Sequence, residues 1–448
     1  MSDIKEYIYA HKQEMIDILA ELVAVPSVQG KAEEGAPFGK ESARALDIML
    51  KKCENFGFYV ENTDNYVGSA DINGLAPGLA VITHLDVVPV GTGWTTDPFK
   101  LRYETETGKL VGRGTIDDKG PAVAALFAAK AVKELGFPLK KGIRLIFGTN
   151  EENGSEDLVY YRKKHELPKM VFTPDGEYPL INAEKGMLRV YFSTEWSMPI
   201  EIKAGTVINA VPSSCEITSI SDSKMGPCVE FNADGKITYT DEVRRRTETI
   251  SGVSAHASTP EKGENAITKF LAANMIICPP MNELKKLFPH GEFNGKSCEL
   301  GFKDNISGDM TCVLSLLNTE NKRLYGGIDI RFPLDRTKSE ISDIICKKLR
   351  VAGFEVDSCE GVEPHYTDEN SGFVQTLLSV YERVTGDKGR CIAIGGGTYV
   401  HEIEGGVAFG AEFPNKNNNM HCPDEFISVD DLIKNAEIMA EAMKELCG

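Results

Sequence analysis

A chain of 448 residues has room for two or more domains, and its 42% hydrophobic and 26% charged residues are ordinary for a soluble globular protein. A formal net charge of −18 at pH 7 argues against a nucleic-acid partner, because polyphosphates are held by clustered Lys and Arg. The first six residues already carry charge and no apolar stretch approaches the length of a bilayer crossing, so neither a secretory leader nor a membrane partner is expected.

Ile4, Tyr7, Ile8, His11, Met15, Ile18, Leu19 and Leu22 recur at helical spacing, which predicts one amphipathic helix ending before Pro26. Leu79-Ala80-Val81-Ile82, entered from Ala76-Pro77-Gly78, reads as a buried strand. There follow an alanine-rich helix near 120–135, a strand at 143–147, a helix near 155–165 and a strand at 170–172. That alternation is the mark of an α/β domain with a largely parallel sheet. After about 187 the texture becomes alternating and β-rich, with Leu188-Arg189-Val190-Tyr191-Phe192 as a strand and Asn232-Ala233-Asp234-Gly235 as a hairpin turn. Arg244-Arg245-Arg246, the one dense basic run, reads as a solvated loop. Helical spacing returns from about 371, a strand is expected at 407–413, and a last helix at 429–446. The fold class is therefore α/β with an inserted α+β domain: 1–186 and 367–448 form one domain, and 187–366 interrupt it. Eleven cysteines, an odd number without a Cys-x-x-Cys pair, suit a reducing cytoplasm better than a disulfide framework.

Chemistry gathers where the α/β strands end. Thr83-His84-Leu85-Asp86 sets an imidazole and a carboxylate two residues apart, so that on an extended chain Asp86 can accept a hydrogen bond from the ring nitrogen that His84 does not give to a metal. Asp117 and Asp118 stand in a glycine-rich loop, Glu151 and Glu152 follow the strand ending at Phe147, Asp175 follows Val171-Phe172-Thr173-Pro174, and His421 comes late in Met420-His421-Cys422-Pro423-Asp424-Glu425. Taken singly each has an ordinary explanation as a turn, a helix start or a surface residue. Converging on one sheet edge, where open α/β sheets bind ligands, so many carboxylates would repel unless a cation lay among them. Imidazoles mixed with carboxylates suit zinc, or manganese or cobalt, better than calcium. The set is larger than one catalytic metal needs, and two metals about 3.5 to 4 Å apart would use it fully, activating a water between them while a remaining glutamate acts as base. The residues do not separate Glu151 from Glu152, nor Asp117 from Asp118.

Five segments occur in order: Thr-His-Leu-Asp-Val-Val-Pro, Gly-Arg-Gly-Thr-Ile-Asp-Asp-Lys-Gly-Pro, Thr-Asn-Glu-Glu-Asn-Gly, Thr-Pro-Asp-Gly-Glu-Tyr-Pro and Met-His-Cys-Pro-Asp-Glu. Together they resemble the co-catalytic zinc aminopeptidase and carboxypeptidase group that includes aminoacylases, succinyl-diaminopimelate desuccinylase and acetylornithine deacetylase, and within it the bacterial PepV-like dipeptidases. The resemblance implies that His84 and Asp175 bind one metal, Glu152 and His421 the other, and Asp117 bridges, with Asp86 orienting and Glu151 as general base. It also implies that His256, in Ser254-Ala255-His256-Ala257-Ser258-Thr259-Pro260, donates to the oxyanion from a lid, that Asn209 contacts the substrate backbone, and that Arg331 with the loop Gly395-Gly396-Gly397-Thr398 holds the substrate's C-terminal carboxylate. A guanidinium fork and exposed backbone N–H groups suit that role chemically. The expected activity is hydrolysis of dipeptides or very short peptides by a cytoplasmic enzyme. N-acyl amino acid hydrolysis, or metal binding without catalysis, are the alternatives. An enlarged lid takes the place of a dimer partner in PepV-like enzymes, which implies a monomer, whereas small-lid relatives form homodimers. Cys422 and His401 receive no role.

Overall fold

The N-terminal apolar stripe folds as two helices, Asp3–Ala10 and Lys12–Val23, where one was expected. At His11 the backbone leaves helical geometry (φ −98°, ψ 11°), and its ring lies 2.8 Å from the Tyr7 carbonyl and stacks on the Tyr7 ring at 4.1 Å. Ile4, Ile8, Met15, Leu19 and Leu22 are buried on both sides of the break, so the periodicity runs through it undisturbed. The computed structural model describes residues 3–221, 228–231, 237–240, 244–273 and 278–448, with backbone alone at 221, 228–231, 237–240 and 244.

The strand Pro77–His84 is buried from Leu79 onward on both faces, as a continuous apolar run requires of a central parallel strand. It pairs in parallel with Gly142–Gly148 on one side and Met170–Thr173 on the other, and Val407–Ala408 joins Met170–Thr173, also in parallel. Toward the edges the pairing turns antiparallel, through Val67–Asp71 on Gly142–Gly148 and Leu180–Glu184 on Val407–Ala408. Among the described residues this sheet has nine strands. The alanine-rich helix Lys119–Glu134 is buried almost throughout and packs on the last helix, Val429–Cys447. Two elements are shorter than their apolar patterns suggested: the strand at 407–413 contracts to Val407–Ala408, and the helix near 155–165 to Glu156–Arg162.

By contacts the chain divides into two compact units: Met1–Ala183, His365–Ala393 and Gly397–Gly448 form the first, Glu184–Pro364 with Ile394–Gly396 the second. The second is built on a separate antiparallel sheet, seven-stranded among the described residues, in which Arg323–Phe332 pairs with both Gly186–Glu195 and Thr311–Glu320. Leu188, Val190, Phe192, Ile328 and Ile330 from this sheet share a core with Ile341 and Ile345 of the helix Lys338–Val351. A mostly parallel α/β sheet in one unit and a separate antiparallel sheet with helices in the other are the expected fold class.

The basic run is a strand and not a loop. Arg244–Ser251 pairs antiparallel with Ser214–Ser221, and Arg245 forks onto Glu201 at 3.0 and 3.1 Å while Arg246 meets Glu248 at 3.0 Å. Glu248 lies on the same strand as Arg246, but Glu201, the partner of Arg245, lies on the strand Ile200–Ala204, a cross-strand fact that local composition does not carry. The turn Asn232-Ala233-Asp234-Gly235 lies outside the described residues, between the paired strands Cys228–Phe231 and Ile237–Thr240. The ten cysteines with described side chains are free thiols, and seven of them are buried, as small apolar residues would be.

Candidate metal centre

Parallel register brings the strand ends together. His84 stands opposite Gly148 and Val81 opposite Phe172, so the loops after His84, Gly148 and Thr173 all leave the carboxyl edge of the sheet. His84 is fully buried there. Its Nε2 lies 2.9 Å from Asp117 Oδ1 and 3.8 Å from Asp175 Oδ2. His421 Nε2 lies 2.7 Å from Asp117 Oδ2 and 3.3 Å from Glu152 Oε1. Asp117 thus turns one oxygen to each imidazole. Ligand atoms of His84, Asp117 and Glu152 fall within 4.8 Å of one another, and so do those of His84, Glu151 and Asp175.

Asp86 differs from its expected geometry. His84 Nδ1 is closest to the backbone carbonyl of Asp86, at 3.0 Å, with the Asp86 carboxylate at 3.5 Å. The carboxylate instead accepts from the backbone N–H groups of Glu151 and Glu152, each at 3.2 Å. The alternation that would aim Asp86 beside the ring holds only while the chain is extended, and the strand ends at His84.

Other buried groups hold these loops: Asp118, one of the two aspartates that local sequence does not separate, and Arg113, Glu425 and Asp157, to which local sequence gives no role. Glu425 Oε2 accepts from Arg113 Nη1 at 2.5 Å, while Oε1 accepts from the N–H of Ile116 at 3.0 Å and of Asp117 at 3.4 Å. One carboxylate therefore ties the Asp117 loop to the segment carrying His421. Asp157 accepts from the N–H groups of Thr149 and Asn150 and from the Tyr399 hydroxyl, at 2.6, 2.9 and 2.5 Å. Asp118 accepts from the backbone N–H of His84 at 3.1 Å. Glu425 and Arg113 sat inside quoted motifs, but their pairing spans the chain and leaves no local signal. His421 itself adopts a left-handed backbone, φ 60°, a conformation that non-glycine residues hold only where surroundings impose it.

The electrostatics are those of a cation site. Burial and the nearby charge of Asp117 push Asp175 up to about 7, and burial with Asp175 pushes Glu151 well above the carboxylate range. Burial and Asp117 also raise Glu152. Burial alone would lower His421, yet the facing carboxylates of Asp117 and Glu152 carry it up to about 11; Asp117 and Asp86 likewise outweigh burial at His84. For Asp117 the two histidines overcome burial and hold it well below the usual range. The cluster thus gathers positive charge among anions that burial would otherwise neutralise. Two imidazoles with four carboxylates match the donor set of a transition-metal site, and Glu152 Oε1 is a buried acceptor without a well-formed hydrogen bond. These residues fit a divalent cation.

The model of peptidase family M20/M25/M40 matches residues 80–445. The chain belongs to that family. It is 36% identical to the Beta-Ala-Xaa dipeptidase of Lactobacillus delbrueckii subsp. lactis, over 99% of this chain and 98% of the relative. In fold it is similar to an M20 family metallo-carboxypeptidase of Sulfolobus solfataricus, with a TM-score of 0.61 at 20% identity over 97% of this chain and 99% of that one. Human carnosine dipeptidase 1 gives a TM-score of 0.61 at 18% identity over 99% of both chains. The protein is an M20 metallopeptidase with dipeptidase relatives, and among its described residues no helix is long and apolar enough to cross a membrane.

Of the remaining candidate residues of this M20 peptidase, Asn209, His256, Arg331, Gly395 and Gly396 belong to its second unit. Ala210 pairs with His256 across a short antiparallel ladder, and the Asn209 carbonyl accepts from Ala257 N–H at 2.9 Å, so Asn209 and His256 are neighbours. His256 Nδ1 lies 2.6 Å from Ser258 Oγ. Gly395 packs so tightly on Ser258 that a Cβ there would sit 2.6 Å from the serine Cβ. Arg331, 3% exposed, forks onto Asp329 and donates to the Gly395 carbonyl at 2.8 Å. Gly396 belongs to the same unit, whereas Gly397 and Thr398 fall in the first, where Thr398 caps the short helix Tyr399–Glu402. His401 lies in that helix with its ring 6.4 Å from His365, and Cys422 is exposed.

Proposed function

We propose that this M20 peptidase hydrolyses dipeptides or very short peptides with a free C-terminal carboxylate. The observation that carries the reading is Asp117, whose two oxygens face His84 and His421 separately, an arrangement suited to a carboxylate shared between two cations. His84 and Asp175 would hold one ion, His421 and Glu152 the other, and Asp117 both. Two divalent metals, zinc foremost with manganese or cobalt as alternatives, would supply a Lewis acid for the scissile carbonyl and a water that ionises near neutral pH. Glu151 takes the proton of the attacking water and passes it to the leaving nitrogen, a task suited to a buried carboxylate with a raised pKa. His256 donates to the carbonyl oxygen as it gains charge. Asn209 contacts the substrate backbone, and Arg331 with the 395–398 loop receives the terminal carboxylate. The dipeptidase relative supports peptides as the substrate class.

The test is metal analysis of the purified protein, followed by chelator-reversible hydrolysis of parallel dipeptide and N-acyl amino acid panels. Dipeptides are expected to dominate; dominance of N-acyl amino acids would make the chain an amidohydrolase instead. Glu151→Gln is expected to lower kcat by about 10²- to 10⁴-fold with metal content retained. Inertness on both panels, with no effect of that substitution, would leave a metal-binding protein without catalysis.

A further inference from the structure

Asp329 is a fully buried carboxylate that the proposed mechanism does not use. It stands two residues before Arg331 on the strand Arg323–Phe332, hence on the same face, opposite Val313 of the neighbouring strand. Val313 packs with Val211, which pairs with Ala255 in the short ladder that also holds His256, and with Ala257, whose N–H donates to the Asn209 carbonyl. The pair thus lies beside the residues proposed to handle the substrate backbone and oxyanion.

Arg331 Nε donates to Asp329 Oδ1 at 2.6 Å and Nη2 to Oδ2 at 3.0 Å, while Nη1 donates to the Gly395 carbonyl at 2.8 Å. A guanidinium has five N–H donors, and these contacts use three, leaving one on each Nη. Both Asp329 contacts run along the Nε–Nη2 edge, so the planar fork turns its second Nη2 N–H toward the outer, Nη1–Nη2 end. With the remaining Nη1 N–H it offers two charged donors to an anion. As a source of stability a buried ion pair is weak beside apolar side chains of equal volume, whereas a guanidinium held in one orientation loses little freedom when it binds an anion.

We infer that Asp329 is a positioning residue for substrate selection: it clamps one edge of Arg331 so that the other receives the peptide's C-terminal carboxylate, and so sets the preference for a free acid over a C-terminal amide. The inference rests on the role proposed for Arg331. It is tested by the kinetics of a dipeptide and its C-terminal amide on metal-loaded wild type, Arg331→Lys, Asp329→Asn and Asp329→Glu, each checked for fold by circular dichroism. Asp329→Asn turns a donor toward the fork; KM for the acid is expected to rise about tenfold with kcat little moved, and the acid-over-amide ratio of kcat/KM to fall by the same factor. Asp329→Glu keeps the charge but displaces it by a methylene, and moves both quantities in the same direction. If Arg331→Lys erodes the acid preference while both folded Asp329 variants keep it, the role of Arg331 stands and that of Asp329 is overturned. If Arg331→Lys also keeps it, the carboxylate assignment itself fails and the inference with it. Failure of both Asp329 variants to fold would assign Asp329 to stability alone and overturn the inference.

Discussion

Asp86 shows how one residue can serve a site through two groups. Its carbonyl fixes the His84 ring and its carboxylate gathers the N–H groups of Glu151 and Glu152, so it joins both halves of the centre. Asp86→Asn keeps the carbonyl and the side-chain volume but presents a donor to one of those N–H groups. Metal affinity, measured by titrating chelator-stripped protein in a calorimeter, is expected to fall about tenfold or more with the fold retained. Unchanged affinity and activity would remove Asp86 from the site. The tripeptide shows that a carboxylate stands two residues after His84; which of its atoms faces the ring was not legible, since that depends on how the chain turns after the strand.

Among elements, the tie between the Asp117 loop and the His421 segment stands out. Arg113 and Glu425 are both buried, and Trp94 covers the guanidinium at 5.2 Å. Burial, followed by the charge of Asp117, pushes Glu425 up to about 7, so the pair is best probed at pH 8, where the carboxylate is ionised. There Arg113→Met leaves a buried anion without its cation, expected to cost about 3 kcal/mol in urea unfolding followed by far-UV circular dichroism; a loss under about 1 kcal/mol would mark the tie as dispensable. The strands Pro77–His84, Gly142–Gly148 and Met170–Thr173 follow from apolar runs and turn residues, which are local signals. Arg244–Ser251 was misjudged because that strand depends on a partner elsewhere, the Ser214–Ser221 pairing, whereas the break at His11 leaves the apolar spacing intact and so gives periodicity nothing to register.

For the whole molecule, the buried charges couple metal, protons and stability. Burial with Asp117 raises Asp175 to about 7, and burial with Glu177 raises Glu412 to about 7. Because both lie above the ordinary carboxylate range, the metal-free fold is favoured fully below about pH 4 and loses that contribution as pH rises through 7. His421, raised to about 11, acts with the same sign over a higher window. Metal replaces protons in such a cluster. The rise in Tm on adding zinc or manganese to chelator-stripped protein should therefore be larger at pH 8 than at pH 5.5; equal or reversed increments would show that the cluster does not exchange protons for metal.

The order of apolar runs, glycine-rich loops and helical stripes, together with imidazoles and carboxylates at strand ends, is written along the chain, and it was enough to read the fold class and the chemistry the centre supports. Periodicity and spacing act over a few residues, so they report which side chains a loop offers. Pairings across the chain were decided by tertiary structure: Asp117 between His84 and His421, Arg113 with Glu425, and the Asp86 carboxylate on the Glu151 and Glu152 amides. Even Asp329, two residues from Arg331, became meaningful only when burial removed water as the competing partner of its carboxylate.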